Sequence, residues 1–225
     1  MLKNEKVCVL NFELTTYCNA GCPTCFRTRF SDLLPKPYKH LTPETFSTFI
    51  LNNVEFFKRN AYDRLIAKFC GEIGDPLMNP HLNELTSIAE NVFDRVDIYT
   101  NGGLKSSKWI RKFLLSYKKA KFVFGIDGLS DETNQIYRIN VNTNKALENM
   151  FIASKYRETR WDHTIFEHNH HELLDVIQLA KKHHLDLLCR FNGREFKKIK
   201  NEDLLRCEIL LKETGIKYTN RNRNK

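Results

Sequence analysis

Six short β-type runs, each followed by a stretch with apolar residues at three- and four-residue spacing, recur along this chain, and that alternation narrows its fold more than any other feature. Candidate strands cover Val7 to Leu14, Leu65 to Cys70, Val96 to Thr100, Phe122 to Ile126, His163 to Phe166 and Leu187 to Phe191. All but the last are apolar enough to be buried. The intervening patterns, such as Ile110, Phe113, Leu114 and Tyr117, or Leu173, Val176, Ile177 and Ala180, put one apolar face on a helix. Six βα units fall short of the ~8 of a closed barrel, and 225 residues fall short of its usual ~250. The expected fold is therefore α/β, an open partial TIM-like barrel on a parallel sheet. With no repeat or clear linker, residues 1–225 read as one domain, with a core over about 7–196 and a C-terminal helix and basic tail over about 197–225.

Helix starts are marked by Thr42 before Pro43, by Ser106, and by Asn169 with Glu172 at capping-box spacing; a last helix is expected over Glu202 to Thr214. Phe26 to Leu41 is the main irregular segment. The charges near Met1 to Val7 and the lack of a long apolar run argue against a signal peptide or a membrane span, so a cytoplasmic protein is expected. Net charge is +9, which permits RNA without favouring it over a small anionic ligand. Lys217, Arg221, Arg223 and Lys225 read as a solvated tail.

Seven cysteines are an odd number for a disulfide framework, and three of them crowd into one loop. The first strand runs through Thr15-Thr16-Tyr17 into Cys18-Asn-Ala-Gly-Cys22-Pro-Thr-Cys25. Three thiolates at this spacing suit a cubane in which one iron keeps an open position. A structural zinc site completed by Cys70 or His40 is the alternative, and a metal-stabilised nucleic-acid-binding protein is the non-catalytic reading that goes with it. In parallel α/β folds chemistry gathers at the C-terminal ends of strands, which is where this loop falls.

From Val7 to Phe196 the chain resembles the radical S-adenosylmethionine (SAM) superfamily, whose C-x3-C-x2-C loop also follows the first strand. Further resemblances come in order at later strand ends. Ile73-Gly74-Asp75-Pro76 is similar to the superfamily's Gly-Gly-Glu-Pro segment, and Thr100-Asn101-Gly102 to a recurrent turn. Gly125-Ile126-Asp127-Gly128 with Tyr137-Arg138 resembles Ser-Ile-Asp-Gly followed by Tyr-Arg, and Ile165-Phe166-Glu167-His168-Asn169 ends the fifth strand. The resemblance implies a 4Fe-4S cluster on Cys18, Cys22 and Cys25 and a SAM site built from Gly74, Asp75, Pro76, Asn101, Asp127, Arg138 and Ile165. In that site the Gly74 to Pro76 turn offers carbonyls to the SAM amine, Arg138 pairs with its carboxylate, and Ile165 packs on adenine. Asn101 is either a SAM contact or a turn former, and Asp127 either a ribose ligand or a helix-start residue. His168 and Asn169 are further candidates, with Arg190 behind them. Thr24 stands where an aromatic is common, and Gly125 where a serine is.

The chemistry so implied is reductive cleavage of SAM to methionine and a 5′-deoxyadenosyl radical that takes hydrogen from a substrate, fed by an external one-electron donor such as a flavodoxin or ferredoxin. Beyond Cys70 only Cys189 and Cys207 remain, too few for a second cluster. Arg27, Arg29, Lys36, Lys39 and His40, interleaved with Phe26, Phe30 and Tyr38, suggest a small anionic, nucleotide-like substrate. A peptide is the other reading, and plain solvation of these charges the third.

Overall fold

The computed structural model describes residues 5–34, 36–59, 62–193 and 196–220. Seven strands form one sheet, all neighbours parallel, in the order β1 (Val7–Glu13), β2 (Arg64–Cys70), β3 (Arg95–Thr100), β4 (Ala120–Gly125), β5 (Arg160–Ile165), β6 (Asp186–Phe191) and β7 (Lys217–Asn220). The first and last strands do not meet, so the sheet curls into an open half-barrel. Between strands run α1 (Phe26–Arg29), α2 (Pro43–Arg59), α3 (Leu82–Glu90), α4 (Ser107–Ser116), α5 (Asp131–Asn134), α6 (Thr143–Ser154), α7 (Leu173–Lys182) and α8 (Asn201–Thr214).

Side chains alternate across the sheet, and the two faces differ in kind. Phe12, Phe69, Ile98, Phe122, Phe124, Trp161 and Phe191 point to the helices, and all but Phe12 are nearly or fully buried. Phe12 meets Phe46 of α2 edge-on at 5.0 Å, and Phe122 meets Phe113 of α4 at 5.5 Å. Burying each such side chain contributes about 1.5–3 kcal/mol. The alternate residues Lys68, Tyr99, Gly125, Arg160, Thr164 and Arg190 occupy the concave face and stay partly accessible. A face that no helix covers must be polar to be stable in water, and this one is.

Several local expectations need correction. The described residues form seven strands, because the tail is not simply solvated: Lys217 begins β7, which pairs with β6, while Arg221, Arg223 and Lys225 lie outside the described residues. Strands β2 to β6 start one to three residues early, since Arg64, Arg95, Arg160 and Asp186 are polar and break an apolar pattern without breaking the ladder. The first strand is not buried; it is an edge, with Val7 41% and Val9 51% exposed. Ser106 caps α4 as expected, accepting from Trp109 N at 3.2 Å. Asn169 makes no such cap: its side chain accepts from Phe166 N and donates to the carbonyls of Asp127 and Thr164, while Glu172 accepts from Leu129 N and Thr133. Phe26 to Leu41 contains α1 and a single 3-10 turn over Ser31–Leu33.

Candidate functional site

The three-cysteine loop leaves β1 at buried Leu14 and is pinned on both sides. Thr15 Oγ1 lies 2.9 Å from His40 Nδ1, and Thr16 N donates to the Lys39 carbonyl at 3.0 Å. Further along, Gly21 N donates to the Ile139 carbonyl at 3.0 Å, Arg27 Nη2 to the Ala20 carbonyl at 2.5 Å, and Thr24 Oγ1 meets Tyr137 Oη at 2.8 Å. These contacts hold the loop against the segment that carries Arg138. Cys22 is buried, whereas Cys18 and Cys25 are partly accessible, and all are free thiols. Burial, followed by the neighbouring Asp75 carboxylate, pushes the Cys18 thiol up to about 12. Burial also raises Cys22, against the pull of the Arg138 guanidinium.

Among the described residues, no three His, Cys, Asp or Glu side chains converge on a point that one metal ion would fill. A single zinc needs all its sulfurs about 2.3 Å from one centre, but a cubane takes each thiolate on a different iron and needs them further apart. The side chains offered as a fourth zinc ligand are engaged elsewhere: His40 stacks on Tyr17 at 4.7 Å, and buried Cys70 points its thiol at the Lys68 carbonyl, 3.5 Å away. The donor set fits a cluster in one further respect, because N–H groups face the Cys18 sulfur from Ala20 N at 3.4 Å and Asn101 Nδ2 at 3.9 Å. Such donors stabilise a thiolate and tune a cluster's potential.

The turn after β2 is built on Gly74 and Asp75. A Cβ on Gly74 would stand 2.1 Å from the Thr15 carbonyl oxygen and 2.7 Å from that of Tyr17, so only glycine lets this turn lie against the cysteine loop. Asp75 N donates to the Tyr17 carbonyl at 2.8 Å. Its buried carboxylate accepts from Thr100 Oγ1 at 2.9 Å, Asn101 N at 2.9 Å and Leu77 N at 3.0 Å. Asp75 thus ties the strand ends of β2 and β3 together, and Pro76 opens the 3-10 turn that it caps. Asn101, held by its contact to Asn19 Oδ1 at 2.7 Å, lies over the loop.

Arg138 approaches from the other side. Its Nε donates to Oδ2 of fully buried Asp127 at 2.7 Å, and Oδ1 of Asp127 accepts from Thr164 N at 2.7 Å. Burial works against the guanidinium's charge, but Asp127 and then Cys22 more than restore it. Helix α5 is capped instead by Ser130, whose capping box with Thr133 needs nothing from Asp127. A Cβ on Gly125 would come 2.8 Å from Arg138 Nη2. The glycine that stands in place of a serine therefore leaves the room in which this guanidinium lies.

Strand β5 brings a mixed set. Ile165 is fully buried, and Asn169 is wholly engaged in holding the turn. His168 stacks on Phe166 at 5.0 Å with both ring nitrogens buried and without a hydrogen-bond partner. Burial and then Lys197 lower it to about 4. Arg190 lies on the concave face, away from the cysteine loop. The cations of the Phe26 to Leu41 segment are not gathered: Arg27 braces the loop, Arg29 lies over Phe30, and Lys36 pairs with Asp32 at 4.0 Å in solvent.

The same architecture is found in solved structures. SuiB of Streptococcus suis, bound to S-adenosylmethionine, superposes with a TM-score of 0.69 at 15% identity, over 95% of this chain and 50% of that one. For anSMEcpe with bound AdoMet the values are 0.66, 17%, 96% and 64%, and for TYW1 with a lysine-pyruvate adduct 0.56, 16%, 88% and 70%. The likeness is one of fold. This chain spans about half the length of SuiB. No protein-family model matches the sequence, and no curated protein does.

Asp127 and Arg138 stand out separately in the sequence, but their pairing does not, nor does the contact of Thr24 with Tyr137 or the presence of Lys68, Arg160 and Arg190 on one face of the sheet. The pairing had a signal in hand: an acid at a strand end and an arginine eleven residues on, after one short helix.

Proposed function

We propose that this chain is a radical SAM enzyme, with a 4Fe-4S cluster on Cys18, Cys22 and Cys25 and SAM held beside it. The observation that carries the reading is the placement of Arg138 beside Cys22 and Gly125, with Asn101 on the Cys18 sulfur, in a half-barrel whose solved counterparts include two with SAM bound. When bound, the cluster and SAM supply a one-electron cleavage of SAM that yields methionine and a 5′-deoxyadenosyl fragment able to take hydrogen from a substrate.

The residues of the chain do the rest by placement. Asp127 fixes the Nε edge of Arg138, so that the terminal nitrogens are presented to a carboxylate in a fork that suits it. The Gly74 turn, locked by Asp75, offers backbone carbonyls to an amine. Asn101 keeps its amide over the Cys18 sulfur. The packed aromatic side chains of Tyr137, Phe166 and Phe196, with centroids 4.7–5.8 Å apart, close one flank against water. An external flavodoxin or ferredoxin would supply the electron.

For the substrate, a peptide is supported by two solved counterparts, SuiB bound to precursor peptide SuiA and anSMEcpe with the Cp18Cys peptide. A small anionic molecule is the second reading, supported by the cations of the concave face. Anaerobic reconstitution with iron and sulfide tests the cofactor assignment. About four irons per chain and a charge-transfer absorption lost in Cys18→Ala, Cys22→Ala and Cys25→Ala are expected; a single tightly bound zinc would refute it.

A further inference from the structure

The concave face of the sheet carries charge that its own carboxylates do not neutralise. Register and alternation place Lys68 of β2, Tyr99 of β3, Arg160 and Asp162 of β5 and Arg190 of β6 on that face. Nearer the strand starts the charges cancel in pairs, Arg95 with Asp97 at 2.9 Å and Lys121 with Glu158 at 3.1 Å. Toward the open end they do not. Asp162 is shared between Arg160, whose Nε lies 2.6 Å from Oδ1, and Arg190, whose Nη1 lies 2.5 Å from Oδ2. Lys68 has no ion pair among the described residues and stands 4.4 Å over the Tyr99 ring. Of these three cations only Arg160 and Arg190 hold a carboxylate in direct contact, and they share one; Asp97, opposite Lys68 in register, is taken by Arg95, and Asp186, opposite Arg160, acts on it only at longer range.

The donors are also available. A guanidinium has five N–H donors; Arg190 commits one nitrogen to Asp162, and its side chain remains 34% exposed. Arg160 reaches across β4, over Val123, to Tyr99 Oη at 3.3 Å; at this level β4 contributes Val123 and Gly125, while its Lys121, nearer the strand start, is turned to Glu158. Arg138 lies on Gly125, two residues along β4 from Val123, a rise of about 7 Å.

We infer that Lys68, Arg160 and Arg190 form a receptor for an oxyanion, a carboxylate or phosphate group of the substrate, seated one step below Arg138. Asp162 holds the two guanidinium groups in register, and Tyr99 orients both Arg160 and Lys68. An anionic group anchored there leaves the remainder of a small molecule or an acidic side chain directed up the concave face toward the cysteine loop. The inference deepens the proposed function and rests on it for the word substrate, but the anion site itself does not depend on the cluster.

Calorimetric titration of inorganic phosphate and, separately, of acetate into the full anaerobically purified chain at low ionic strength tests it. Saturable binding is expected, weakened about tenfold to hundredfold by Lys68→Gln and by Arg190→Gln and largely retained in Arg190→Lys. Phosphate bound in preference to acetate identifies a phosphorylated small molecule, and the reverse an acidic side chain. Lys68→Gln leaves Asp162 fully paired, so its effect is not one of misfolding. If neither anion binds the wild-type chain saturably, or both Gln variants bind as the wild type does, the receptor is wrong. Release of 5′-deoxyadenosine by the wild-type chain is scored independently, so a failed radical SAM reading and a failed anion site give different results.

Discussion

Arg138, 22% exposed, and fully buried Asp127 form an ion pair, Nε to Oδ2 at 2.7 Å, and the aspartate's other oxygen accepts the Thr164 backbone N–H. One salt bridge therefore ties the segment that flanks the cysteine loop to the ends of β4 and β5.

Removing Arg138 leaves the fully buried Asp127 carboxylate uncompensated, which typically costs about 3–5 kcal/mol, whereas removing Asp127 leaves a guanidinium that water still reaches. Arg138→Ala should lower the chemical unfolding free energy by about that amount, and Asp127→Ala by less. Their double variant should lose less than the sum of the two, as measured by a double-mutant cycle in urea. Additive losses would mean that the pair does not interact. Arg138→Lys keeps the charge but not the fork, and should weaken SAM binding by about tenfold while leaving cluster absorption unchanged.

Gly125→Ala places a methyl group 2.8 Å from Arg138 Nη2 and must displace it. SAM affinity should fall by roughly the same factor as in Arg138→Lys, read by equilibrium dialysis, with the unfolding free energy lowered by about 1–3 kcal/mol. Unchanged affinity would take Arg138 out of the SAM site.

Gly74→Ala sets a Cβ against backbone oxygens of Thr15 and Tyr17, which cannot swing away as a side chain would. The cysteine loop should shift, with a loss of iron on reconstitution as well as of stability. Wild-type iron content in this variant would show that the turn does not position the loop.

His168 is neutral in the folded chain, lowered to about 4 by burial and then by Lys197, with Asp127 and Glu167 opposing. The unfolded chain takes up that proton near pH 6.5, so between pH 6.5 and 4 the unfolded state binds more protons and stability falls as pH falls. Fully buried His163, also lowered by burial, acts in the same direction. His168→Phe, which can keep the stack on Phe166, should flatten the melting temperature against pH between pH 4 and 6.5, and a slope equal to that of the wild type would contradict the assignment.

The order of strands and helices was legible because apolar spacing survives in the sequence wherever a face is buried, as in Ile110, Phe113 and Leu114. The concave face was not. Arg190 stands out alone as a candidate, but Lys68, Tyr99 and Arg160 alternate with core residues and look, one strand at a time, like ordinary polar positions; their gathering with Arg190 depends on register across five strands. Strand β7 was hidden for a related reason, since Lys217-Tyr-Thr-Asn has no apolar run and is held by backbone pairing to β6. The three cysteines and Arg138 were legible as types at a spacing. The buried partners that position them, Asp127 and Asp75, read as ligands because a carboxylate at a strand end gives no sign of whether its acceptors are already filled.

The most direct test of the central claim is the release of 5′-deoxyadenosine from SAM under anaerobic reducing conditions, by the reconstituted wild-type chain and by Cys22→Ala. The account predicts release by the wild type, by Cys8→Ala and by Cys207→Ala, and none above background by Cys22→Ala. Equal release by Cys22→Ala, or none by a wild-type chain carrying about four irons, would contradict it.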